Sequence, residues 1–157
     1  MIRWQLMSPD LPSPSGGGLF VPLVDAPKLF IPLGVAKVSA GFPSPAADYQ
    51  DKRLDINEYL IRNPVSTFFF PVQGDSMEGA EIFDGDILVV DRSVKARHGH
   101  IVVAFVDGER LVKRLHCRAG RVALIAANPI YPALEIMGEM ELTIWGVVIG
   151  KFKRMSL

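Results

Sequence analysis

At 157 residues the chain is long enough for one domain with a real core, or one domain plus a tail, and too short for two ordinary domains. Its 17 Lys and Arg balance its 17 Asp and Glu, so no global field draws it to nucleic acid, and its apolar runs end at Pro, Gly or charges well short of a membrane span. Cys117 is the single cysteine, which excludes an intramolecular disulfide or a four-cysteine zinc site and makes the cytoplasm the expected location.

Residues 1–45 hold eight of the 12 prolines and only five charged side chains, Arg3, Asp10, Asp25, Lys28 and Lys37. Ser8 to Gly18 (SPDLPSPSGGG) mixes Pro, Ser and three consecutive Gly, a composition that predicts flexibility and suits neither a helix nor a central strand. Between Leu19 and Ala40, short apolar clusters are punctuated by Pro22, Pro27 and Pro32, which predicts extended segments lying on another surface. LFIPLGVA followed by VSA imitates a secretory signal, but Pro32 breaks the apolar run and Lys37 sits where such signals avoid charge. Ala40–Gly41 is a bond between two small residues in an extended stretch, the kind a protease cleft accepts.

In RLDINEYLIRN, Asp55 is placed to cap a helix over Asp55 to Arg62, with Glu58 three residues on and Leu54 able to staple against Tyr59. From Thr67 the pattern changes to short runs rich in Val, Ile and Phe: TFFFPVQ, DILVVD, HIVVAFV, ERLVKRLH, RVALIA and LTIWGVVIG. These predict a mainly β domain with one or two short helices. Between the first two runs, GDSM places Ser76 at a strand-to-turn junction before a short helical segment predicted over Met77 to Ile82. The junction exposes the hydroxyl and offers the Ser76 and Met77 backbone N–H groups as oxyanion donors. Alone, the tetrapeptide reads as an ordinary serine cap at a turn.

Asp107-Gly108 between two strand-like runs is a strong hairpin signal, and a two-residue turn there pairs Val106 with Glu109 and Val102 with Lys113. Side chains alternate along a strand, so Leu111, Lys113 and Leu115 share one face. Lys113 is then either a lysine that carries its amine out to water or a buried, neutral lysine that serves as a base. The same register sets Cys117 opposite His98, on whose face His100 also falls, so a metal site can be drawn, but only two side chains converge. Lys151, Lys153 and Arg154 make a basic tail, read here as a solvated end.

Taken together, AGFPSPAADY at 40–49, GDSM at 74–77, DGDILVVD at 84–91 and LVKRL at 111–115 resemble the UmuD and LexA family of self-cleaving serine peptidases, and most of all its UmuD branch. The resemblance covers about residues 38–150 in order and spacing. It implies the LexA/signal-peptidase-like β-rich catalytic fold over residues 41–157, preceded by a flexible arm, residues 1–40, that self-cleavage removes at Ala40–Gly41. By the same resemblance Ser76 is the nucleophile and Lys113 the general base, and no metal or cofactor is needed. It further implies a homodimer, latency until a RecA filament on single-stranded DNA promotes cleavage in the SOS response, and a trimmed product that joins a UmuC-type subunit in an error-prone translesion polymerase. The arm is longer than is usual in the UmuD branch and too rich in Pro and Gly for a helix-turn-helix, so sequence-specific DNA binding is not expected. The competing expectation is a catalytically silent or LexA-like regulatory binding module on the same fold.

Overall fold

The computed structural model describes residues 27–33, 40–41 and 52–156. The expectations for Ser8 to Gly18, for Leu19 to Ala26 and for residues 42–49 of the AGFPSPAADY block lie outside these residues.

Among the described residues nine strands form in chain order: β1 (Ile31–Leu33), β2 (Lys52–Leu54), β3 (Thr67–Pro71), β4 (Ile87–Asp91), β5 (Ile101–Val106), β6 (Glu109–Arg118), β7 (Arg121–Ile125), β8 (Leu134–Glu135) and β9 (Leu142–Phe152). Seven make one antiparallel sheet in the order β3-β4-β9-β5-β6-β7-β8. The six apolar runs of the sequence are β3, β4, β5, β6, β7 and β9, and the mainly β expectation holds. Asp107 and Gly108 take φ of 48° and 86°, the left-handed pair that a two-residue hairpin turn requires, and the register is as expected, Val106 opposite Glu109 and Val102 opposite Lys113. A second such turn at Ala119-Gly120, φ 49° and 74°, joins β6 to β7 without an Asn or Asp to announce it.

The last strand to be made, β9, occupies the middle of the sheet, between β4 and β5. Its register slips by a residue against β4 at Val89/Val90 and against β5 at Val103/Ala104, bulges that bend the sheet. Alternation then divides the core. Val102, Ala104, Leu115, Leu124, Ile144 and their neighbours pack as one cluster, while Phe70, Met77, Ile82, Leu88, Val90 and Val103 pack as another.

The helical elements are shorter than predicted. Helix α1 spans Ile56–Leu60, and Asp55 caps it as expected, accepting from the N–H groups of Asn57 at 2.8 Å and Glu58 at 3.1 Å. It stops early because Ile61 turns extended, and no helix residue is buried; Tyr59, expected to staple against Leu54, is 70% exposed. The segment expected over Met77 to Ile82 is a single 3-10 turn, Glu78–Ala80, ended by Glu81 at φ 59°. Before α1, β1 and β2 pair antiparallel, the Leu29 N–H donates to Asp55 Oδ2 at 2.6 Å, and Lys28 forms an ion pair with Glu58. Residues 27–33 therefore lie as an extended segment along residues 52–58.

Candidate active site

The chain leaves β3 through Val72, which exchanges backbone hydrogen bonds with Gly85 and Asp86, and turns at Gly74, φ 93°, whose N–H donates to Asp84 Oδ1 at 2.8 Å. The turn that follows carries Ser76 and is gripped by residues 127–131. Ala127 N–H donates to the Ser76 carbonyl at 2.9 Å and Ala127 O accepts from Gly79 N–H at 2.7 Å. Asn128 Nδ2 donates to the Asp75 carbonyl at 3.2 Å, and the Tyr131 hydroxyl donates to the Asp75 carboxylate. From beneath, Met77 is 1% exposed in the second core cluster. The Ser76 backbone is thus fixed on both sides, by buried side chain and by hydrogen bonds.

Lys113 reaches the same point from β6, 37 residues later in the chain. Its Nζ lies 2.6 Å from Ser76 Oγ and donates to the Val112 carbonyl at 3.1 Å. The side chain is half-buried, and burial pushes its amine below the usual lysine value of 10.5, because the ammonium loses hydration. A serine hydroxyl within hydrogen-bond reach of an amine shifted toward the neutral form is the geometry that proton abstraction needs. Among the hydrogen bonds of the described residues, the Ser76 and Met77 amides donate to nothing, so neither is committed to another acceptor there.

A cavity of about 500 Å³ opens beside the pair, with Phe70, Val72, Leu88 and Val103 among its walls. Arg110 also lines it and stacks its guanidinium 5.4 Å from the Phe70 ring centroid and 6.0 Å from that of Phe105. Ala40 and Gly41 are both exposed and neither lines the cavity. The structure therefore brings Ser76 and Lys113 together and does not bring the Ala40–Gly41 bond to them.

Several polar residues take roles the sequence did not reveal. Asp75, Asn128 and Tyr131 form the clamp on the serine turn, yet no periodicity links positions so far apart. The basic tail is corrected at two of its three residues: Lys151 Nζ donates to Asp86 Oδ2 at 2.7 Å, and Lys153 Nζ lies 4.0 Å from Asp86 Oδ1 and donates to the Asp84 carbonyl at 2.6 Å, while Arg154 is exposed. Asp86 is 2% exposed, and a buried carboxylate requires counter-charge, which these two lysines supply. His98 Nδ1 accepts from the Cys117 N–H at 3.2 Å and its ring packs edge-on against His116, while His100 Nδ1 accepts from the Arg97 N–H at 3.3 Å. Among the described residues no three His, Cys, Asp or Glu side chains gather as a metal group, and no helix is long and apolar enough to cross a membrane.

Comparison with known proteins places the chain in a family. The family model described as Peptidase S24-like matches residues 32–149. Protein SamA of Salmonella typhimurium is 49% identical over 117 residues, 74% of this chain and 81% of SamA. Protein MucA of Escherichia coli is 48% identical over 119 residues, 75% of this chain and 81% of MucA. The LexA repressor of Bordetella petrii is 34% identical over 130 residues, 83% of this chain and 57% of that repressor. With most of its length matched by the family model and nearly half its aligned residues shared with UmuD-like relatives, the chain belongs to the Peptidase S24-like family, as its resemblance to UmuD and LexA implied.

Proposed function

We propose that this chain is a latent serine peptidase that cuts itself at Ala40–Gly41. Neutral Lys113 takes the Ser76 hydroxyl proton as Oγ attacks the Ala40 carbonyl, and the Ser76 and Met77 amides hold the oxyanion. The tetrahedral intermediate collapses as Lys113 returns that proton to the Gly41 nitrogen, leaving Ala40 esterified to Ser76. Water, deprotonated by the same amine, then releases the acyl group. The observation that carries this reading is the 2.6 Å approach of a half-buried lysine amine to the serine hydroxyl. Exposure of the Ala40–Gly41 bond, outside the cavity, accords with latency: the arm must move before the bond is cut.

By similarity to the UmuD branch, the trigger is a RecA filament on single-stranded DNA during the SOS response. The product starting at Gly41 then acts as a dimer, the accessory subunit of an error-prone translesion polymerase with a UmuC-type partner. The test is intact-mass spectrometry of the purified chain at neutral and alkaline pH, with and without RecA, ATP and single-stranded DNA, beside Ser76→Ala and Lys113→Ala. A species beginning at Gly41, absent from both variants, is expected. A chain that stays whole under every condition overturns self-cleavage and leaves a silent binding module. Cleavage that persists in Lys113→Ala removes the lysine from the mechanism.

A further inference from the structure

A second cavity, of about 430 Å³, shares no lining residue with the one beside Ser76. Its floor is aliphatic: Val94, Ala96, Leu115, Leu142 and Ile144 all belong to or pack against the first core cluster. Its charged walls are of one sign, Arg92, Lys95 and Arg97, with no Asp or Glu among them. Lys95 and Arg97 are exposed, and among the described residues neither has a carboxylate within ion-pair distance. In a chain of zero net charge, the exposed cations Lys95 and Arg97 over an apolar floor make a local arrangement with its own electrostatic field. The volume falls within the roughly 300 to 1,000 Å³ of ligand-holding clefts.

We propose that this cavity docks a peptide segment of a partner protein in which large aliphatic side chains are interleaved with Asp or Glu. The aliphatic side chains would fill the floor and the carboxylates would meet the rim, so that complementary charge sets the register while apolar burial holds the segment. Single-stranded nucleic acid is the weaker fit. Trp145, in the lining, already has Arg92 over its ring at 4.9 Å and packs edge-to-face with Phe68 and Phe70 at 5.0 and 4.8 Å, so a base stacking on it would compete with these contacts. Cationic surroundings are also felt at His98, whose pKa is lowered first by burial and then by the charges of Arg118 and His116.

The inference stands apart from the Ser76–Lys113 reading, since no residue is shared. Its test is fluorescence anisotropy of the full-length chain with a labelled peptide of alternating Leu and Glu, beside peptides in which every Glu is Lys or every Leu is Ser. Saturable binding of the Leu-Glu peptide alone is expected. The double variant Lys95→Glu/Arg97→Glu, whose two exposed side chains are dispensable to the core, should weaken it roughly tenfold or more, as should high salt. Backbone amide shifts on binding should fall in residues 92–98 and 142–146. Equal binding of the Leu-Lys peptide, no loss in the double variant, or shifts elsewhere would overturn the proposal. So would a peptide displaced by an oligothymidylate, which would make the groove a nucleic-acid site.

Discussion

The Ser76–Lys113 pair rests on a lysine whose charged form is disfavoured where it sits. Because its folded value is lowered from 10.5, the chain when unfolded binds the extra proton between the two values, so folding stability rises with pH across that window. Two outcomes follow from the same sign. The rate of cleavage should climb with pH and level off at an inflection below 10.5, measured as the mass-resolved rate across a pH series, and Lys113→Met should melt no lower than the parent at neutral pH while cutting nothing. The opposite case is Asp86. Burial works to raise its carboxyl, but the Lys151 hydrogen bond, the Phe83 N–H and the charges of Lys151 and Lys153 outweigh that and hold it below 3.8. Its contribution is present above 3.8 and is lost as pH falls through the folded value. Asp86→Asn should cost about 1.5 to 3 kcal/mol at neutral pH in urea unfolding, the range for a hydrogen bond to a charged group, and the deficit should shrink on acidification.

At the level of elements, the serine turn and the 127–131 loop act as one unit, and Gly79 is where they meet. A Cβ there would lie 2.2 Å from the Ala127 carbonyl oxygen, and because the Cβ position is set by the main chain and the oxygen is itself backbone, one segment must move. Gly79→Ala should therefore slow cleavage by roughly two orders of magnitude, the usual effect of a misplacement near 1 Å, with the sheet's circular dichroism unchanged. Parent-like cleavage rates would show that the clamp does not position Ser76. The two hairpins show how unevenly sequence reports turns. Asp107-Gly108 is readable because Asp tolerates the left-handed region, whereas Ala119 adopts φ 49° only because β6 and β7 impose it. Strands β1, β2 and β8 are two or three residues long and carry no usable alternation. Helix α1, with no buried residue, lacked the apolar face that would have fixed its end.

Across the molecule, stability depends on β9 reaching the middle of a sheet whose other strands precede it. Pairings of such long range close late, and the two core clusters are complete only once β9 is in place. Leu124, with 0% exposure on β7, should report that assembly: Leu124→Ala is expected to lose about 2 to 5 kcal/mol in denaturant unfolding, and a loss under about 1 kcal/mol would mean that the first cluster is loosely packed. By itself the sequence determined the β-rich class, six of the strands, the register of the Asp107-Gly108 hairpin, the Asp55 cap and, through spaced motifs, the residues for which chemistry could be expected. Those are consequences of side-chain alternation, turn chemistry and local hydrogen bonding, all of which act within a few residues. The tertiary structure alone decided that β9 is central, that Lys151 and Lys153 serve a buried Asp86, that Asp75, Asn128 and Tyr131 hold the serine turn, and that Lys113 lies 2.6 Å from Ser76. Each of these joins residues distant in the chain, and burial of apolar surface, which brings them together, carries no record of its partners in any local pattern.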